Sequence, residues 1–354
     1  MNPKAKETPL RAGIVGLGAI SLEHIERLGR IAEVQIAGIC DLEEAVVDAV
    51  GERYAIDARF TDFERMLAEA QPDVVHVLTP PQSHRPLAVA ALRAGAHALV
   101  EKPIAPTPED YAAMREAADA AGLYLVENYN WREAAVVRRA LGIVRAGGIG
   151  DVVHVDVSFG GVLSGGGGPV GDRDVVHFSH GLPGGALQNF ASHPVSIALA
   201  FTGPCTGVAT ARRRLDPAMQ SDDELRALLA GERASALVSV TRHIEPPSFT
   251  LRVGGTAGSL EADLYNDRLY VGGPGGGAAK VTGGVRHGLN LLAGAASLIA
   301  GTLTSRLDHF EGLEALLRDL YRAVAEGGEP PVTAAEIDAV NEVMFKVFSA
   351  EGQL

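Results

Sequence analysis

The sequence predicts an α/β protein in two parts: a doubly wound, parallel-stranded N-terminal domain over residues 1–129, then a C-terminal α/β domain over 130–354 with an open, largely antiparallel sheet. Three observations predict it. The 354 residues exceed what one hydrophobic core comfortably serves. Residues 10–129 repeat a short apolar run followed by a helical run, the alternation that builds a parallel sheet. From about Asn130 the pattern changes to period-two stretches, which mark half-exposed antiparallel strands.

The first unit is the most informative. Residues 12–41 read AGIVGLGAISLEHIERLGRIAEVQIAGICD: an apolar strand through Ile14 and Val15, a turn at Gly16 and Gly18, a helical run, and a second apolar strand that ends on an acid. That order is the dinucleotide-binding βαβ unit of a Rossmann fold. Gly16 makes the tight turn. Gly18, lacking a Cβ, lets the backbone approach a pyrophosphate at the positive N-terminus of the next helix, where Ala19 and Ile20 lie. Ser21 stands where the fingerprint has its third glycine, a helix-packing position that tolerates a small side chain. Asp41 is placed to accept from a free ribose hydroxyl. Glu43 and Glu44 behind it would repel a 2′-phosphate, so NAD is expected over NADP.

The βα alternation continues. Helical runs at 43–54 and 61–70 precede a buried-strand pattern at 74–78, which Thr79, Pro80 and Pro81 stop. A helix over 86–94 and a strand over 98–100 follow, then Glu101, Lys102 and Pro103. A helix over 108–121, with Thr107 as its cap, and a strand over 124–127 complete the sheet. Ligands of such sheets lie beyond the carboxyl ends of the strands, where Thr79, Pro80, Glu101, Lys102 and Asn128 fall. In the second domain a helix over 134–146 leads to strands at 151–159, 207–212, 234–243, 249–253, 259–264 and 268–271, with helices on one face of their sheet. Two helices close the chain, the last opened by a Thr333/Glu336 capping box. The glycine stretches 165–168 and 272–277 lack the Lys-Ser/Thr of a phosphate loop and read as loops, the first a candidate cover for a substrate.

The GLGAIS turn at 16–21, VLTPPQSH at 77–84, EKP at 101–103 and GGALQNFASHP at 184–194 together resemble the Gfo/Idh/MocA family of NAD(P)-dependent oxidoreductases, over essentially the full chain. A lysine after a strand is ordinarily a solvated surface residue; the resemblance implies that Lys102 reaches the active site and that Glu101 helps to hold it. It implies that Trp131 and Arg132 lie near the nicotinamide, where Trp131 stacks or else anchors the linker, and it gives His84 a place beside the cofactor. It also implies that the open face of the second sheet joins subunits into a homodimer or homotetramer.

Asn189 and His193 are four residues apart and so share one helix face. The family pattern has Asp and His there. In this chain Asn189 replaces that Asp, Ala191 a Gly and Ser196 a later Asp. An amide orients a hydroxyl or a histidine but takes no proton, which leaves His193 as the candidate acid or base. Without the resemblance, a lone helical histidine reads as structural. The expected reaction is hydride transfer between NAD and a secondary hydroxyl or ketone of a carbohydrate-like substrate: a sugar, a cyclitol or a derivative such as a nucleotide sugar. Its rivals are an NAD-dependent glycoside-cleaving enzyme that oxidises transiently and a non-catalytic NAD-sensing regulator.

Composition narrows the partners. A net charge of −13 argues against nucleic acid. The one basic run, Arg212 to Arg214, reads as a solvated strand edge or an oligomer contact. Cys40 and Cys205 form no disulfide framework, and the polar first residues carry no apolar signal-peptide core, so a cytoplasmic protein is expected. The apolar segment 289–303 is shorter than the ~20 residues of a spanning helix and is broken by Gly294 and Gly301, so it reads as a buried or subunit-facing helix, with no membrane partner expected. His177, His180 and His193 are close enough in sequence to suggest a metal, but the chain has no HExxH or Cys-His cluster, and no metal is expected.

Overall fold

Apolar strands buried on both faces need helices on both sides, and the first part of the chain supplies them. The computed structural model describes residues 9–161, 178–217, 219, 221–273 and 310–349. The glycine stretch 165–168, His177, the segment 289–303 and most of the stretch 272–277 lie outside these. Contacts divide the chain into two compact units, Met1–Tyr129 with Leu313–Asp338, and Asn130–Gly312 with Ala339–Leu354.

In the first unit, strands β1 (Leu10–Val15), β2 (Val34–Cys40), β3 (Arg59–Phe60), β4 (Val74–Val77), β5 (His97–Val100) and β6 (Leu125–Glu127) form one parallel sheet in the order β3-β2-β1-β4-β5-β6. The order reverses between β1 and β4, which opens a crevice at their carboxyl ends. Helices α1 (Ala19–Leu28), α2 (Glu44–Tyr54), α3 (Phe63–Ala70), α4 (His84–Arg93) and α5 (Pro108–Ala121) connect the strands. Asp62 caps α3 by accepting from Arg65 N, and Thr107 caps α5 by accepting from Asp110 N. Gly16 has φ +89°, and a Cβ there would sit 2.7 Å from the Thr79 nitrogen, so only glycine fits this turn.

The second unit runs α6 (Ala135–Arg145), β7 (Val152–Gly160), α7 (Gly185–Thr202) and then β8 (Cys205–Arg213), β9 (Glu224–Gly231), β10 (Ser235–Thr241), β11 (Ser248–Gly255), β12 (Ser259–Asp263) and β13 (Arg268–Gly272). Its sheet has the order β13-β12-β11-β7-β10-β9-β8. Every pairing is antiparallel except β7 with β10, which is parallel, so the expectation of an antiparallel setting for 151–159 holds on one edge of that strand only. β9 escapes sequence reading because ELRALLAG is built of helix formers. Its alternation shows only in burial: Leu225, Ala227 and Leu229 face the core and Leu228 the outside.

Val157, Leu229, Val238 and Leu251 line the sheet's inner face, and α7 packs on that sheet. On the outer face Leu228 and Leu237 are register partners and both exposed. At the start of α7, Gly185 takes φ +58° with Ser221 against the place a Cβ would occupy, and Gly184 is pressed on Phe348 of the final helix in the same way. Those two contacts explain the double glycine before ALQNFASHP.

Two helices close the described chain, α8 (Glu311–Glu326) and α9 (Ala334–Phe348). The expected division leaves all of 130–354 in the second domain, whereas the packing returns Leu313–Asp338 to the first unit. The contacts are specific: Tyr321 reaches His76, Glu314 pairs with Arg30, Gly328 O accepts from the Tyr124 hydroxyl, and Asp338 accepts from Tyr111. The Thr333 capping box forms, with Thr333 Oγ1 accepting from Glu336 N and Glu336 Oε2 accepting from Thr333 N.

Candidate active site

The crevice of the first unit begins at the glycine turn. α1 starts at Gly18 without a side-chain cap, so its first amides take no side-chain acceptor at that end, and Gly18 and Ala19 are exposed with Ile20 half-buried. A Cβ added at Gly18 meets nothing within 4 Å. Open space above bare helix amides fits a pyrophosphate. Ser21 is buried and its hydroxyl donates to Gly18 O at 2.6 Å, so the small residue in place of the third glycine is satisfied locally. Asp41 accepts from Leu17 N at 2.7 Å through Oδ2 and from Glu43 N at 3.2 Å through Oδ1, which ties the turn to the end of β2. The donors and the carboxylate together suit NAD: Gly18, Ala19 and Ile20 would hold a pyrophosphate and Asp41 an adenosine ribose.

After β4, Thr79 is half-buried, Pro80 exposed, and the Ser83 hydroxyl donates to Thr79 Oγ1 at 2.7 Å. His84 is fully buried, with Nδ1 3.0 Å from Ile104 O and Nε2 2.7 Å from Thr79 O. Burial lowers its pKa against the opposing pull of those two carbonyls. Both ring nitrogens face backbone carbonyls, so a neutral His84 donates to one of the two and packs against the other, between the loop after β4 and the loop after β5.

Glu101 follows the last residue of β5 and is almost wholly buried. Burial works to raise its pKa, but His24, Lys102 and Asn128 outweigh that and take it down to about 2. The Lys102 backbone N–H donates to Oε2 at 3.2 Å, and Asn128 Nδ2 donates to Oε1. The Lys102 side chain is part-buried; burial lowers its pKa, while Glu101 and Glu127 pull it back up. Glu127 accepts from Ile104 N at 3.1 Å and from the Tyr129 hydroxyl at 2.6 Å, so it fixes the loop that follows Lys102. Sequence reading missed Glu127, His24 and His76. The available signal for His76 was a polar residue inside the buried run VVHV.

In the second unit Asn189 and His193 lie on α7, both nearly buried. Pro194 follows within the helix and lacks the N–H that would bond the Phe190 carbonyl. Ser196 turns its hydroxyl to His193 O at 2.8 Å, so the residue in place of the family Asp serves the helix backbone. Phe159 meets the His193 ring at 83° with centroids 6.4 Å apart. It also packs on Phe249, which meets Trp131, and Trp131 also meets Tyr265. Trp131 is thus held in an aromatic cluster of its own unit. Arg132 is buried near Glu133. His180 falls in the short turn Phe178–Gly181. Among the described residues no three His, Cys, Asp or Glu side chains converge on a metal position, and no helix is long and apolar enough to cross a membrane.

The Glu101 setting has a pH consequence. A carboxyl lowered from 4.5 to about 2 contributes stability that is full above its unfolded pKa and is lost as pH falls through the folded value. Urea midpoints of wild type and Glu101→Gln should therefore differ most near neutrality and converge as pH falls from about 4.5 toward 2. A gap that stays constant across this window would contradict the assignment.

Two family models match the chain in order: the oxidoreductase family with an NAD-binding Rossmann fold over residues 10–129, and the GFO/IDH/MocA C-terminal domain over residues 137–261. D-apiose dehydrogenase of Paraburkholderia graminis is 30% identical over 231 residues, 63% of this chain and 57% of that protein, so the match spans little more than half of this relative. D-xylose 1-dehydrogenase (NADP(+)) 2 of Haloferax volcanii is 27% identical over 252 residues, 71% of this chain and 75% of that protein. The WlbA dehydrogenase of Bordetella pertussis, solved with NADH and UDP-GlcNAcA, shares the fold with a TM-score of 0.79 at 20% identity, over 98% of this chain and 96% of that one. With both domain types matched in sequence and the switch-point crevice built as the first of them requires, the chain belongs to the Gfo/Idh/MocA family of oxidoreductases.

Proposed function

We propose that the protein is an NAD-dependent dehydrogenase that moves a hydride between nicotinamide and a secondary hydroxyl or ketone of a sugar, cyclitol or sugar derivative, nucleotide sugars included. The observation that carries this reading is Lys102: a part-buried lysine with a lowered pKa, set beside an ionised Glu101 at the carboxyl end of a strand in an NAD-type sheet. The sugar dehydrogenases among its relatives support the substrate class. One of them is named for NADP, whereas the Asp41 carboxylate with Glu43 and Glu44 behind it supports NAD in this chain.

Residues 1–129, with Leu313–Asp338 packed among them, form the cofactor domain in this reading, and the rest of 130–354 the substrate and assembly domain. NAD, when bound, supplies the hydride acceptor. Lys102 holds positive charge where a carbinol oxygen becomes an alkoxide, and burial, by lowering its pKa, makes its ammonium a readier proton donor than an exposed lysine. His193 takes or returns the hydroxyl proton, and Asn189, one helical turn earlier on α7, orients the substrate hydroxyl. Thr79 and Pro80 border the cofactor crevice, and Arg132 follows from the linker. Two free cysteines fit a reducing, cytoplasmic setting. The outer face of the second sheet, with Leu228 beside Leu237 and Arg252 across from Asp156, is where a second copy docks.

The test is a screen of sugars, inositols and nucleotide sugars for NADH formation, followed by Lys102→Ala and His193→Ala. Each substitution should cost at least about a hundredfold in kcat, the scale of removing an acid–base or charge-stabilising group, with NAD affinity kept. Wild-type rates in both variants would refute the mechanism, and product release without net NADH would favour glycoside cleavage. Light scattering should find a dimer or tetramer that Leu228→Glu weakens; a monomer at working concentration would remove the docking proposal.

A further inference from the structure

A buried line of polar groups runs inward from Glu101 within the first unit. His24 Nε2 lies 3.5 Å from Glu101 Oε1, within ion-pair range and longer than an ordinary N–H···O hydrogen bond. His24 Nδ1 is 2.8 Å from His76 Nδ1, and His76 Nε2 is 2.9 Å from the Tyr321 hydroxyl. Both histidines have no exposed surface, and Tyr321 is equally buried. The rings are also in contact: His24 meets His76 at 87°, and His76 stacks on Tyr321. A parallel βα sheet needs none of this, since apolar residues would fill α1, β4 and α8 at these points. Burying two imidazoles and a phenol is tolerated only when their polar atoms are paired.

Two orders satisfy these pairs, because Asn128 Nδ2 also lies 3.4 Å from His24 Nε2. In the order that ends on Glu101, whose carboxylate can only accept, His24 carries a proton on Nε2 and accepts at Nδ1, His76 donates from Nδ1 and accepts at Nε2, and the Tyr321 hydroxyl donates. Burial holds His76 well below the ordinary histidine value and Tyr321 well above the ordinary phenol value, which keeps both neutral as this order requires. At the other end, Glu101 Oε1 receives Asn128 Nδ2 and Oε2 receives the Lys102 N–H. The carboxylate is thereby fixed in position next to Lys102.

We propose that His24, His76 and Tyr321 are positioning residues for Lys102, forming a one-way chain of donors that holds the Glu101 carboxylate in the place where it supports the lysine ammonium. Among the described groups, Glu127 also acts on Lys102, His84 on Glu101 and Asp73 on Tyr321. Loosening the chain withdraws part of the anionic support at Lys102, so its pKa falls further.

The experiment uses the full chain labelled with 15N-histidine. Ring-nitrogen spectra through the neutral range should show His24 protonated at Nε2 and His76 at Nδ1, and Tyr321→Phe should disturb the His76 signals most. The turnover arm rests on the dehydrogenase reading and uses the sugar found by the NADH screen. Tyr321→Phe should lower kcat by about three- to tenfold, on the scale of one hydrogen bond in a coupled network, with NAD affinity unchanged. The limb of the pH profile that reports Lys102 should move to lower pH. His76→Phe should act in the same direction and more strongly, and His76→Gln should recover part of the loss; if His76→Phe does not fold, Tyr321→Phe carries the test. His76 protonated at Nε2, or a Tyr321→Phe enzyme with unchanged kcat and pH profile, would overturn the proposal. If the wild type oxidises no sugar, the dehydrogenase reading fails and the histidine spectra alone decide the chain.

Discussion

Glu101 is a carboxylate kept ionised where water is scarce, and the first unit is arranged to make that possible. A buried carboxylate is costly without donors, and here they come from three separate elements. The end of β5 supplies the Lys102 N–H, the residue after β6 supplies Asn128, and α1 supplies His24. These meet only because β5 and β6 are parallel neighbours and β4 carries His76 alongside. Strand order therefore does more than open a crevice. It gathers the groups that let a charge sit at one strand end and hold a lysine beside it.

The loops around this point are tied down by the same logic. Glu127 anchors the backbone at Ile104, and the His84 ring sits between the carbonyls of Thr79 and Ile104 with one N–H to donate. Asp41 plays the equivalent part on the cofactor side, closing Leu17 and Glu43 around one carboxylate. Rigid strand ends with braced loops are the setting in which a cofactor and a reacting group stay aligned. On α7 the double glycine, Pro194 and Ser196 all shape the helix that carries Asn189 and His193.

Much of this was legible in residues with a single physical explanation. Gly16 must take a positive φ, Asp41 must end a strand, Thr107 must cap a helix, and each shows in the sequence as a residue type at a spacing. What escaped reading depends on partners far apart in the chain. His24, His76 and Tyr321 are separated by 52 and 245 residues, and each alone looks like an ordinary core position. β9 was hidden by helix-forming residues whose alternation matters only once β8 and β10 flank it. The parallel pairing of β7 with β10 and the return of Leu313–Asp338 to the first unit are also long-range outcomes that no local pattern encodes.

The most direct measurement of the central claim is the infrared difference spectrum between wild type and Glu101→Gln at about pH 5, above the ordinary glutamate pKa. An ionised Glu101 predicts that the substitution removes a carboxylate stretching band and no protonated-carboxyl band. Loss of a protonated-carboxyl band instead would mean that Glu101 is neutral, and the support of Lys102 by a fixed charge would have no basis.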